Sequence, residues 1–91
     1  MLFRSRVERG SVVLVPDFIC RDVLASLVVV EAEAVFYSIG DDLQISTKQS
    51  LLEADAIIAV NYFGFPADLA LIRKMLASPQ TAIIEIGRAH V

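Results

Sequence analysis

The chain has one cysteine, one histidine, no tryptophan, three prolines and four glycines that never cluster. A single cysteine excludes a disulfide scaffold. One cysteine and one histidine also cannot build a zinc site, and no His/Cys/Asp/Glu group has metal-ligand spacing. Gly10, Gly40, Gly64 and Gly87 stand alone, so neither a G-x-G-x-x-G turn nor a Walker loop is present to cradle phosphate. There is no G-x-S-x-G nucleophile elbow either. Positive charge is scarce: eight Lys and Arg against eleven Asp and Glu leave a net charge of −3, so nucleic acid has no electrostatic footing. The longest apolar runs, Val12–Val15, Val23–Val30 broken by Ser26, and Ala56–Val60, fall well short of the roughly 20 residues a membrane span needs. The Arg4, Arg6 and Arg9 segment is not followed by the apolar stretch and cleavage site of a signal peptide. One cysteine and no leader fit a cytoplasmic, reducing compartment.

What the chain does have is apolar bulk. Hydrophobic residues make up 56% of its 91 positions and charged residues only 21%. A chain this short has a high surface-to-volume ratio and ordinarily needs more polar residues to cover itself. The excess predicts a buried slice of something larger, and it excludes a disordered tail.

The two ends point the same way. Met1–Ser5 can be encoded from a GTG start by a DNA word whose reverse complement is AGATCGGAAGAGCAC. Read from its third base, that complement encodes Ile-Gly-Arg-Ala, the residues Ile86 to Ala89. The word resembles a common sequencing-library adapter. Residues 1–5 and 86–91 are therefore expected to be adapter translation, and 6–85 the native segment. On that expectation His90 carries no chemistry.

Strand and helix signals alternate between the ends. Ser11–Val15 is a β-branched run expected to end at Pro16. Asp17 or Asp22 is placed to cap a helix reaching about Val30, with Val23, Leu24, Leu27 and Val28 on its apolar face. Ala34–Ile39 is a second strand, Gly40-Asp41-Asp42 a solvated turn, and Thr47–Glu53 a short helix. Ala56–Asn61 is a continuous apolar run of the kind found in a parallel sheet covered on both faces. Asn61–Phe65 is a loop with three aromatics. Pro66 is expected at the first position of a helix with Asp68 near its start, Arg73 and Lys74 near its end, and Leu69, Ile72, Met75 and Leu76 as its core stripe. Thr81–Glu85 begins a fourth strand. Strands spaced by helices predict an α/β fold, here an incomplete, mostly parallel sheet with crossover helices. Its open edges predict aggregation of the isolated chain.

Few residues carry chemistry. Cys20 follows a strand end and opens a helix, beside Arg21; that setting lowers a thiol pKa, although a small buried hydrophobe is the simpler role. Lys48 and Lys74, the only lysines, sit in polar surroundings unsuited to a Schiff base. Asn61 and Tyr62 open a loop at a strand's C-terminal end, where α/β proteins place ligands or interfaces.

In order along the chain, Val15-Pro16-Asp17-Phe18-Ile19-Cys20, Ala34-Val35-Phe36-Tyr37, the Asp55–Val60 run leading into Asn61-Tyr62-Phe63-Gly64-Phe65-Pro66-Ala67-Asp68-Leu69, and Ala82-Ile83-Ile84-Glu85 resemble segments of the DegT-type aminotransferases. These are fold type I enzymes dependent on pyridoxal 5′-phosphate (PLP) that mostly act on sugars. The third segment resembles the family's Val-His-x-x-Gly-x-Pro-Ala-Asp block. The sequence departs from the family at Cys20, where an aromatic often stacks on the PLP ring. It departs again at Asn61, where histidine is common, at Glu31 for glycine and at Ser38 for aspartate.

The resemblance implies part of the large domain of a homodimeric PLP enzyme. Such an enzyme moves an amino group from an amino donor, commonly glutamate, to a keto sugar or similar keto acceptor. It implies that Phe18 and Cys20 lie near the PLP ring and that Asn61 and Tyr62 belong to a substrate or interface loop. The family's Schiff-base lysine, ring-nitrogen aspartate and phosphate-binding residues match no position in this chain. The chain is thus expected to contain no catalytic residue and to be inactive alone. A small non-enzymatic flavodoxin-like module for binding or regulation is the alternative from another class.

Overall fold

The computed structural model describes residues 8–19 and 21–87. Its elements run β1 (Val12–Pro16), α1 (Arg21–Val29), β2 (Glu33–Tyr37), β3 (Ala56–Val60), a 3-10 turn at Tyr62–Gly64, α2 (Leu69–Met75) and β4 (Ala82–Ile86). The four strands form one sheet in the order β2-β1-β3-β4, and all neighbours are parallel. The described residues form a small α/β domain with a four-stranded parallel sheet and two helices.

Topology explains the layering. Parallel crossovers are right-handed in nearly all proteins. The chain steps one way across the sheet from β1 to β2 and the opposite way from β3 to β4, so the same hand puts α1 and α2 on opposite faces. Strand alternation then splits the core in two. Val13, Val15, Ala56, Ile58 and Val60 pack with Leu27 of α1. Leu14, Ile57 and Ala59 pack with Ile72 and Met75 of α2. Central β3 is buried at all five positions, which is why it reads as an unbroken apolar run.

Pro16 does not end β1 but closes it inside the sheet, paired with Tyr37. Asp17 N donates to Tyr37 O at 3.0 Å, so by the period of two the residues of β1 facing β3 are Leu14 and Pro16. With Leu14 level with Ile57, the ladder donor for Ile58 O belongs at position 16. Proline has no N–H. The hydroxyl of Tyr37 takes its place and donates to Ile58 O at 2.7 Å, from a side chain only 3% exposed.

Several expectations are corrected. Thr47–Glu53 is not a helix. Ser46 Oγ accepts from Lys48 N, the Gln49 amide bonds Ser38 and Ser46, and the Leu52 backbone pairs with Met75 and Ala77, so local and tertiary partners outcompete helical ones. Pro66 is not the first position of α2. Asp68 is the N-cap, its Oδ1 accepting from Leu71 N at 3.1 Å, and the helix begins at Leu69. Asp22 lies within the first turn of α1 and is no cap. Val28 and Leu69 are exposed rather than in the core; Leu71 half-packs in Leu69's place.

Candidate functional site

In a doubly wound sheet, ligands bind outside the carboxyl ends of the strands where the order reverses direction. Here the reversal lies between β1 and β3, because α1 leaves one strand toward one face and α2 leaves the other toward the opposite face. The segment after β1 carries Asp17 and Phe18, and the segment after β3 carries Asn61 and Tyr62. Residues 44 positions apart in sequence thus meet at one end of the sheet.

The contact is specific. The rings of Phe18 and Tyr62 stack, with centroids 5.4 Å apart and planes 17° from parallel. The Tyr62 hydroxyl donates to the Phe18 carbonyl. Tyr62 is 5% exposed and Phe18 56% exposed, so Tyr62 is the support and Phe18 the presented face. Asn61 Oδ1 accepts from Ala67 N at 2.8 Å and closes the loop on itself. Cys20 lies outside the described residues.

Three contributors have roles that the sequence reading did not assign. Gln44 clamps the far end of the loop: its Nε2 donates to Pro66 O at 3.3 Å and its Oε1 accepts from Asp68 N at 2.8 Å. Nothing local in the sequence marks Gln44, because its partners are more than 20 residues away. Phe63 holds a left-handed backbone, φ 53°, at 70% exposure. That conformation is unusual for a bulky residue and is one that sequence patterns do not signal. Gly64 follows at φ 84°, a turn only glycine takes freely. Asp17 is the third. Its negative charge opposes ionisation of both Tyr37 and Tyr62.

Burial is the larger cause of the tyrosine shifts. It pushes Tyr62 up to about 12, and Tyr37, deeper still, is raised further. Unfolded tyrosine titrates near 10, so the folded state holds these protons more tightly. Their contribution to stability is complete below about pH 10 and falls as pH rises toward about 12. Urea midpoints measured at about pH 9 and about pH 11 should show a clear loss at the higher pH. Equal midpoints would contradict the burial of these hydroxyls.

The site supplies an exposed aromatic face and a pinned loop, and little else. Lys48 is exposed in a serine turn and Lys74 is exposed near the end of α2. Among the described residues no group of three His, Cys, Asp or Glu is placed to hold a metal ion, and no helix is long and apolar enough to cross a membrane. Two clefts of about 340 and 370 Å³ open at the other end of the strands. Arg73 in the first is engaged by the carbonyls of Pro79 and Thr81, to which it donates, and Asp55 in the second accepts from Val12 N. No family model, curated protein or solved structure matches this chain.

Proposed function

We propose that the chain is part of the large domain of a fold type I, PLP-dependent aminotransferase of the DegT type. The parent would transfer an amino group from an amino donor, commonly glutamate, to a keto sugar or similar ketone, as a cytoplasmic homodimer. The reading rests on the resemblance, and one observation supports it. Two of the resembling segments, through residues 15–19 and 61–69, converge at the β1/β3 reversal, with Phe18 stacked on Tyr62.

The described residues fit PLP only in part. Phe18 offers a face for a flat heteroaromatic ring, with Tyr62 behind it. No amine stands beside that face to hold the cofactor covalently, and the turn after β1 has no glycine or hydroxyl to bind its phosphate. No catalytic step is therefore assigned to this chain, and it is proposed to be inactive alone. When the 91-residue protein is incubated with PLP, reduced with borohydride and mapped by mass spectrometry, neither Lys48 nor Lys74 should carry a stoichiometric adduct. An adduct on either would overturn the inactive assignment. Sequencing the native locus outward from the codons for Asp55–Met75 tests the parent. An aspartate codon directly after Glu85 and a downstream lysine support the enzyme. Their absence sinks it.

The strand order favours a second reading. The order 2-1-3-4 is also the first part of the flavodoxin-like arrangement, 2-1-3-4-5, with its flavin site at the same reversal. Saturable quenching of flavin mononucleotide fluorescence by the chain would support that reading over the aminotransferase.

A further inference from the structure

Among the described residues nothing pairs with the outer edge of β2, and the strand itself carries little protection. Glu33 N donates to Ser11 O at 2.8 Å, and Tyr37 O accepts from Asp17 N at 3.0 Å. Bonded residues recur every second position in a parallel ladder, so Glu33, Val35 and Tyr37 face β1. The N–H and C=O groups of Ala34 and Phe36 therefore point outward. Edge strands are usually blunted by lysine, proline, a bulge or an inward charge. Residues 34–36 carry none of these, and Val35 and Phe36 are 38% and 55% exposed on opposite faces. The opposite edge differs. Asn61 N donates to Ile86 O and Ala82 N to Asp55 O, so the outward positions of β4 are Ile83 and Glu85, and Glu85 places an exposed charge there.

We propose that the β2 edge pairs antiparallel with β2 of a second copy, about a two-fold axis at Val35, to make a continuous eight-stranded sheet. Charge selects the orientation. In-register parallel pairing sets Glu33 against Glu33, a like-charge contact that destabilises a strand pair. Antiparallel pairing about Val35 sets Glu33 against Tyr37 and Val35 against Val35, and it places the small Ala34 opposite the large Phe36 of the second copy. The outward groups of Ala34 and Phe36 then exchange four hydrogen bonds in two pairs. The arrangement is isologous, so it closes as a dimer instead of growing into a fibre. It leaves the Glu85 edges at the two outer ends. It lies on the far side of β2 from β1, away from the β1/β3 gap, and does not depend on the proposed aminotransferase reading.

The full 91-residue protein tests this by sedimentation velocity over a concentration series from about 1 to 300 µM. A reversible monomer–dimer equilibrium is expected. Phe36→Pro removes a donor the internal ladder does not use, and it should weaken dimerisation about tenfold or more. Val35→Lys and Val35→Glu each place like charges at the axis and should be monomeric alone. Mixed one to one, they should form a heterodimer, because only pairing about position 35 brings the two charges together. The mixing result also holds should Phe36→Pro fail to fold. A wild-type monomer throughout the series, a dimer indifferent to Val35→Lys, or monomeric charge variants that fail to pair on mixing would each overturn the proposal.

Discussion

Tyr37→Phe is expected to destabilise the protein by about 1–3 kcal/mol, far more than removal of one hydroxyl from a surface would. The phenol is the donor for Ile58 O, which lies in a fully buried strand and lacks a ladder partner because Pro16 sits opposite it. Without the hydroxyl, that carbonyl keeps its desolvation cost and has no hydrogen bond. The ring remains, so packing is conserved and the effect isolates the polar term. Pro16→Ala supplies an N–H where the ladder expects one. In the Pro16→Ala background the cost of Tyr37→Phe should therefore shrink, and the two substitutions should be non-additive by about 1 kcal/mol or more in a double-mutant cycle. Urea denaturation of the four proteins measures this. Additive effects would mean that Tyr37 and Pro16 do not share the Ile58 carbonyl.

Leu27→Ala should be costlier, at about 2–5 kcal/mol. Leu27 is the buried residue of α1 and touches the β1–β3 core at 1% exposure, while Val23 and Leu24 are only half-buried beside it. The nine-residue helix is too short to hold its shape in water unaided, so docking through Leu27 is what keeps it formed. Truncation removes transfer free energy and opens a cavity that α1, tethered at both ends, fills only in part. The loss should appear as lower helicity by circular dichroism together with an earlier unfolding midpoint. Val28→Ala, at 73% exposure on the same helix, should change the midpoint little. Similar losses for the two variants would mean that α1 docks by a different face. The pairing also separates burial from composition, since both residues are apolar and the sequence pattern places them on one stripe.

The legibility of this fold varies from element to element. Ala56–Val60 was readable because burial on both faces demands an apolar residue at every position. The start of α2 was readable in part. Asp68 carries the capping chemistry, but Pro66, a familiar helix opener, stands two residues earlier, where its carbonyl is held by Gln44. Thr47–Glu53 misled because its residues suit a helix and nothing in the local sequence reveals that Leu52 pairs with the strand-like end of α2. At the candidate site, Phe18, Asn61 and Tyr62 stand out as aromatic or amide residues just past strand ends. Their roles did not. Tyr62 is a buried strut beneath Phe18, and Asn61 ties its own loop.

By itself the sequence determined where the four strands and the two helices fall, to within a few residues, and the parallel character of the sheet. These follow from composition and short-range periodicity, which act within a few residues. The tertiary structure decided the strand order and, through it, the meeting of Phe18 with Tyr62, the substitution of the Tyr37 hydroxyl for the donor absent at Pro16, and the exposure of the β2 edge. Each joins groups from different strands or distant loops. The free energy that fixes them comes from burying two faces of one sheet at once, and no stretch of the chain contains that quantity until all four strands are side by side.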